Sequence, residues 1–265
     1  MDFIITFATL VIGYLIGSVS FARVFLHLLK SEKKIEDLNV ESGVTQETAK
    51  GIFGAGADSA SILLGSKYGI VVGILDVIKA FVPMLLIHYV LFPLEYYHLL
   101  FSLGALIGHN WPLYFGFRGG RGFSVIFGSF LAVDWLGAFS TAIIGVLLGM
   151  VIFENLIVAY SGWLWLMTPW LFARSSNYIF LLYSVSLTII FLLAAAPEIK
   201  EFLSQNRSGN LGSYNRARYE SSARWRAMKK MQDIIGRLGK FKLTVKLLTI
   251  VLIAFIFYLV SNFPL

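Results

Sequence analysis

Long apolar runs constrain this chain before any other feature does. A helix needs about 20 apolar residues to cross the hydrocarbon core of a bilayer, and it satisfies its own backbone N–H and C=O groups on the way. Runs of helical length recur at 3–29, 68–92, 97–114, 124–138, 140–153, 156–172, 178–196 and 243–262. Hydrophobic residues make up 57% of the 265, and charged residues only 14%. That balance excludes an ordinary soluble domain. The expected fold is all-α, a polytopic membrane helix bundle of seven or eight transmembrane helices. The two short runs, 124–138 and 140–153, read as a tight helical hairpin turning at residue 139. The N-terminus has neither the basic n-region nor the small-residue cleavage site of a removed signal peptide, so it reads as the first spanning helix.

The net charge is +7, yet the basic residues sit between the apolar runs. Anionic lipid headgroups, not nucleic acid, are the partners this distribution implies. With the N-terminus outside, the inner segments 30–67, 115–123, 154–155 and 197–242 carry Lys30, Lys33, Lys34, Lys50, Lys67, Arg118, Arg121 and eleven Lys or Arg from Lys200 to Lys242. The outer segments 93–96, 139 and 173–177 carry only Arg174. The positive-inside bias therefore sets the N-terminus outside. Cysteine is absent, and His27, His88, His98 and His109 are scattered without ligand spacing. Neither a metal nor a cofactor is expected. The glycine pairs Gly13/Gly17, Gly69/Gly73, Gly104/Gly108 and Gly145/Gly149 are each four apart, which suits close helix packing.

One stretch stands out chemically: Gly108-His109-Asn110-Trp111-Pro112 continuing to Phe117-Arg118-Gly119-Gly120-Arg121-Gly122. Glycines let backbone N–H groups approach an anion, arginines add planar phosphate-binding donors, and histidine can carry a proton near neutral pH. A glycine turn entering a helix N-terminus is a recurring anion cradle. The plainer reading, a basic turn obeying the charge bias, accounts for the arginines but not for the histidine or the glycine density. Two further constellations carry polar groups in apolar surroundings. Gly17-Ser18 precedes Arg23 and His27, which share a helix face and either reach an anionic substrate or merely snorkel. Asp76 and Lys79 are three apart deep in an apolar run, where charges must pair or line a cavity.

These residues resemble a known family. Gly108 to Gly122 is similar to the GHxxPxxxxFKGGKG signature of the acyl-phosphate-dependent glycerol-3-phosphate acyltransferases, the PlsY family. Gly17-Ser18-Val19-Ser20-Phe21 resembles that family's GSIPF segment. Gly65-Ser66-Lys67-Tyr68-Gly69 with Asp76-Val77-Ile78-Lys79 resembles its GKKxG and DxxKG segments. The likeness covers roughly residues 10–135. The chain departs from the pattern elsewhere. Where the family carries RxxGSGNxGATNxxR, Glu41 to Ala49 keeps Ser42 and Gly43. Gly51 to Ser59, aligned instead without gaps, keeps Gly51, Gly56 and Ala57, and Ile62 takes the arginine position. Ala196 or Pro197 stands where the later HRxNIxRLxxGxE motif has histidine, and both GGKG-context lysines are Arg118 and Arg121.

The resemblance implies transfer of an acyl group from acyl phosphate to the sn-1 hydroxyl of glycerol 3-phosphate, giving lysophosphatidic acid for phospholipid synthesis. It implies Ser18, His109 and Lys79 as catalytic residues and Asp76 as the group orienting Lys79. Gly119, Gly120, Arg121, Gly122, Arg118, Asn110 and Arg23 would hold substrate phosphate. Residues 1–196 would form the membrane domain, 197–242 a basic cytoplasmic loop, and 243–265 an additional transmembrane helix. The protein would lie in the plasma membrane with its site facing the cytoplasm and would require no obligate protein partner. Two other readings stay open: a divergent relative with lost or redirected activity, and a transporter of anionic solutes drawing on Asp76 and Lys79. Replacement His109→Ala is expected to abolish acyl transfer while leaving membrane insertion intact, checked by product formation beside membrane fractionation. An active, inserted variant would overturn the role given to His109.

Overall fold

The computed structural model describes residues 2–33, 35, 38–40, 49–50, 54–221, 223–237 and 242–261. Helices dominate: α1 (Phe3–Gly17), α2 (Phe21–Leu28), α3 (Ala57–Leu64), α4 (Ser66–Leu86), α5 (Tyr97–Asn110), α6 (Phe123–Val133), α7 (Trp135–Leu147), α8 (Leu156–Ser175), α9 (Tyr178–Arg207), α10 (Leu211–Ser221), α11 (Ala223–Gly236) and α12 (Lys242–Ser261). Single π-helical turns, Ile87–Leu91 and Leu148–Ile152, extend α4 and α7. Two dipeptides, β1 (Asn39–Val40) and β2 (Ala49–Lys50), pair antiparallel. The all-helical membrane architecture expected from the apolar runs is the one observed. Among the described residues, five segments are long and apolar enough to cross a membrane: Phe3–Leu28, Ser66–Leu91, Trp135–Ile152, Leu156–Ser175 and Tyr178–Arg207. Phe123–Val133 and Leu243–Leu259 are shorter apolar helices.

Several boundaries differ from the sequence reading, each for a local reason. The first run is not one helix: α1 stops at Gly17, and α2 restarts at Phe21 after an extended Ser20. The hairpin turns at Asp134 rather than at 139, because the Asp134 carboxylate caps α7 by accepting from the Gly137 N–H at 2.8 Å. The span read as 97–114 ends as a helix at Asn110, ahead of Trp111-Pro112, since the residue before a proline is pushed out of helical geometry. Pro197 does not end its helix, which runs on to Arg207, and much of 197–242 is helical rather than loop.

Contacts divide the chain into two units, residues 1–129 with 189–226, and residues 130–188 with 227–265. The first is organised on the crossing of α1 and α5. Lipid tails are as apolar as leucine, so membrane helices associate through close van der Waals packing, which small residues permit. Both glycine pairs serve this crossing. A Cβ at Gly13 or Gly17 would overlap the carbonyl oxygens of Phe101 and Ala105, and one at Gly104 or Gly108 would overlap those of Leu10 and Tyr14. Alongside, α2 and α3 share a small core of Ala22, Leu26, Ile35, Ala55, Ala60 and Val72, flanked by Phe21, Phe25, Leu63 and Leu64. Gly69 of α4 lets Ser61 of α3 approach at 2.6 Å from its notional Cβ.

In the second unit Gly145 and Gly149 bring α7 and its π turn against Trp163 and Ala159 of α8. The buried Asp134 also accepts from the Trp170 indole at 3.0 Å and pairs with Arg174 at 2.8 Å. This explains the one arginine among the segments read as outer: its charge is neutralised inside the fold. Lys246 of α12 pairs with Glu154 at 2.9 Å. The substitution Gly104→Val tests the crossing of α1 and α5 directly. It is expected to lower stability by about 3 kcal/mol, since the obstructing atom is backbone and cannot swing away. Thermal unfolding in detergent checks this, and an unchanged midpoint would contradict the packing.

Candidate active site

Three helices of the first unit bring one ammonium group to their meeting point. Lys79 lies mid-way along α4 and is 6% exposed. Its Nζ lies 2.7 Å from Asp76 Oδ1, one helical turn earlier. It donates to the Gly17 carbonyl at 3.2 Å and to the Val19 carbonyl at 2.9 Å. These oxygens belong to the break between α1 and α2, where a helix C-terminus exposes carbonyls without intrahelical partners and carries partial negative charge. The fourth neighbour is His109 Nδ1, at 2.9 Å. An ammonium can only donate, so Nδ1 accepts and the imidazole hydrogen sits on Nε2. His109 is itself buried, with Asp76 Oδ1 3.7 Å from its Nδ1.

The other face of the His109 ring meets the glycine loop. A Cβ at Gly120 would overlap His109 Nε2, and one at Gly119 would overlap the His109 carbonyl oxygen. The Gly120 N–H donates to that same carbonyl at 2.9 Å. This revises the reason the sequence suggested for these two glycines. They are small because α5 and its histidine press against them, and the Gly120 N–H is already engaged. Gly122 differs: its φ of +84° lies in the left-handed region that glycine tolerates, and it leads directly into α6. Beside Gly122 the Asn110 side chain is 3% exposed, and neither its Oδ1 nor its Nδ2 has a hydrogen-bond partner among the described residues. An amide that is buried and unpaired costs about 1–3 kcal/mol and needs an account; a ligand at the loop would supply one.

Ser18 is wholly buried, and its hydroxyl is committed on both sides. It donates to the Tyr14 carbonyl at 2.8 Å and accepts from the Leu113 N–H at 3.3 Å. Tyr14 adds a hydroxyl bond to the Trp111 carbonyl at 3.0 Å. Ser18 therefore ties the end of α1 to the turn after α5, and the carbonyls on either side of it hold Lys79. Arg23 does the same from α2: its Nη1 donates to the Arg118 carbonyl at 2.7 Å and its guanidinium lies 5.0 Å from the Phe115 ring centroid. The Arg118 side chain is exposed.

Two contributors escaped the sequence reading. Glu198, on α9, accepts from Arg121 Nε at 2.9 Å. The backbone of Ala55 donates to the Gly119 carbonyl at 2.9 Å, and Gly54 packs on Gly120. The second belongs to the small-residue run starting at Gly51, so that run reaches the loop; Glu41 to Thr48 and Gly51 to Phe53 lie outside the described residues. The only signal for Glu198 was a carboxylate following Pro197 at the end of an apolar run. The six groups proposed from separate motifs, Ser18, Arg23, Asp76, Lys79, His109 and the Gly119–Gly122 loop, do meet at one end of this unit.

Removing one member of a buried ion pair costs about 3–5 kcal/mol, because the other charge is left uncompensated. Lys79→Met is accordingly expected to lower the detergent unfolding midpoint sharply, and Asp76→Asn added to it is expected to restore part of the loss. Equal midpoints for wild type and Lys79→Met would show that the pair contributes nothing.

The architecture and the sequence both have relatives. Two crystal structures of PlsY (YgiH), described as an integral membrane glycerol 3-phosphate acyltransferase, match with TM-scores of 0.59 and 0.57 at 22% identity. One is the glycerol 3-phosphate form and the other the lysophosphatidic acid form, and each match covers 75% of this chain and 92% of the other. The glycerol-3-phosphate acyltransferase of Shouchella clausii is 36% identical over 146 residues, 53% of this chain and 62% of its own length. That of Aquifex aeolicus is 34% identical over 140 residues, 49% of this chain and 65% of its own. The chain thus spans a little over three fifths of the length of these curated relatives. The family model for glycerol-3-phosphate acyltransferase matches residues 7–205. With three quarters of its length covered by that match, and with the family's histidine and glycine loop meeting in one place, the chain belongs to the glycerol-3-phosphate acyltransferase family.

Proposed function

We propose that this protein is a membrane acyltransferase that moves an acyl group from acyl phosphate to the sn-1 hydroxyl of glycerol 3-phosphate. Lysophosphatidic acid and inorganic phosphate are the products. The observation that carries this reading is the convergence of Lys79, His109 and the Arg121-bearing glycine loop in a chain of this family. In the reaction the hydroxyl oxygen bonds to the acyl carbon, the bond from that carbon to the phosphate oxygen breaks with its electron pair on phosphate, and the hydroxyl proton ends on the released phosphate. Phosphate is a good leaving group, so the protein's task is mainly to position two anionic substrates and neutralise them.

Arg121 is the phosphate-binding cation in this scheme, with Gly122 and Asn110 beside it and the exposed Arg118 at the loop's rim. Gly119 and Gly120 shape the loop against His109. His109 orients the loop and offers Nε2–H. With Nδ1 taken by the Lys79 ammonium, it serves as a donor rather than a general base. Lys79, oriented by Asp76, fixes the break after α1 and lends positive charge to the site. Ser18 and Arg23 position the loop through the bonds already described. No metal or cofactor enters the scheme.

Localisation follows from charge. The bias of Lys and Arg supports an N-terminus outside and this end of the bundle on the cytoplasmic side of the plasma membrane, where anionic headgroups would meet the basic segment 197–242. Residues 1–196 then form the membrane domain and 243–265 an additional transmembrane segment. Purified protein given acyl phosphate and labelled glycerol 3-phosphate is expected to form labelled lysophosphatidic acid. Arg121→Ala is expected to lower that product about 100-fold. Folded wild-type protein that yields no product would overturn the reading.

A further inference from the structure

The turn that joins α5 to the glycine loop carries strain that nothing inside the chain offsets. Past Pro112 the backbone makes a short helical turn over Leu113–Phe115 and then takes two left-handed residues in a row, Gly116 at φ +59° and Phe117 at φ +60°. Glycine adopts that conformation freely, whereas a bulky aromatic residue is strained in it. Such residues persist only where the surroundings hold them, and here they do. The Phe115 and Phe117 N–H groups donate to the Pro112 carbonyl at 3.2 and 3.0 Å, and the Arg118 N–H donates to the Phe115 carbonyl at 3.3 Å. Ser18 accepts from the Leu113 N–H, and Arg23 donates to the Arg118 carbonyl.

These ties fix Phe117 without burying it. The residue is 57% exposed, and Leu113 and Tyr114 beside it are 49% and 54% exposed. Phe115 alone turns inward, under the Arg23 guanidinium. Exposed apolar side chains along a spanning helix need no account, because lipid tails cover them. The three here lie beyond the end of α5, in one turn with the exposed Arg118 and adjoining the loop that bears Arg121. Strain that presents an apolar ring outward is explained only by something outside the chain. Large apolar side chains next to a cation match the boundary between acyl chains and anionic headgroups, where tyrosine is also favoured.

The same pattern matches one of the two substrates. A long-chain acyl phosphate is an amphiphile, an apolar chain ending in an anionic head, and it dissolves in the leaflet. Glycerol 3-phosphate has no apolar part and arrives from water. We propose that the turn Leu113–Arg118 is a membrane-interfacial lip over which acyl phosphate passes from the leaflet to the glycine loop. Leu113, Tyr114 and Phe117 lie among the outermost acyl-chain carbons, and Arg118 meets the phosphate head at the rim. Moving the Phe117 ring out of water is what offsets its backbone strain. The entry role rests on the acyl-transfer reading; the membrane contact of the turn does not.

The chain has no cysteine, so Phe117→Cys accepts a single fluorophore in the full protein. In vesicles of phosphatidylcholine and phosphatidylglycerol, lipids brominated near the top of the acyl chain are expected to quench that label more strongly than aqueous iodide does. Phe117→Gly removes the ring and relieves the strain together. Its unfolding midpoint in detergent is expected to be no lower than that of wild type. Its KM for long-chain acyl phosphate is expected to rise roughly fivefold or more, with KM for glycerol 3-phosphate and kcat within about twofold. Phe117→Trp, which keeps an interfacial ring, is expected to retain a KM close to wild type. A label quenched by iodide and not by brominated lipid would overturn the proposal, as would an unchanged KM for acyl phosphate in Phe117→Gly or equal rises for both substrates. A label quenched by brominated lipid on a folded protein that forms no lysophosphatidic acid would leave the membrane contact standing and remove the entry role together with the acyl-transfer reading.

Discussion

A single buried ammonium holds the candidate site together. Lys79 reaches from the middle of α4 to the carbonyls of Gly17 and Val19 and to His109 of α5, with Asp76 balancing its charge. Three donor hydrogens are shared among four acceptors from three helices. An unpaired charge at this depth would be expensive, so the arrangement is close to all-or-none: every partner must be in place for the lysine to be tolerated. The break between α1 and α2 is part of that bargain. A helix that ran on through Ser18 would bury its carbonyls in its own bonds and leave Lys79 without two of its acceptors.

Everything else near the site is arranged around His109. One ring nitrogen is fixed by Lys79 and the other presses on Gly120, so the imidazole is clamped between α4 and the glycine loop. The loop is in turn fastened by Gly119 to Ala55, by the Arg118 carbonyl to Arg23, and by Arg121 to Glu198. Buried polar networks that are fully satisfied rigidify a fold. Among the described residues the Asn110 amide and the buried Ser20 hydroxyl lack hydrogen-bond partners, so the network stays open at the loop and at the break.

Packing in the rest of the chain follows the same economy of small residues and a few buried charges. Glycines bring α1 to α5 and α7 to α8 because, between lipid-facing helices, close approach replaces the hydrophobic drive available in water. Asp134 absorbs the charge of Arg174 in the second unit as Asp76 absorbs that of Lys79 in the first, and Asp134 also caps the next helix.

The sequence by itself determined what depends on neighbours a few residues apart. Helical runs of membrane length, the Asp76–Lys79 pair at one turn's spacing and the four-apart glycines were all legible, because helix geometry converts those spacings directly into shared faces. The clustering of histidine, glycines and arginines between Gly108 and Gly122 was legible too, since it lies within one continuous stretch of fifteen residues. What only the tertiary structure decided involves groups far apart in sequence. Glu198 opposite Arg121 and Ala55 on Gly119 have no local signature, because their pairing exists only once α9 and the segment before α3 are packed on the loop. The same holds for the roles of Ser18 and Gly120. Their residue types suggested substrate contact, but which hydrogen bonds a buried hydroxyl or N–H makes depends on the partners that packing brings within 3 Å.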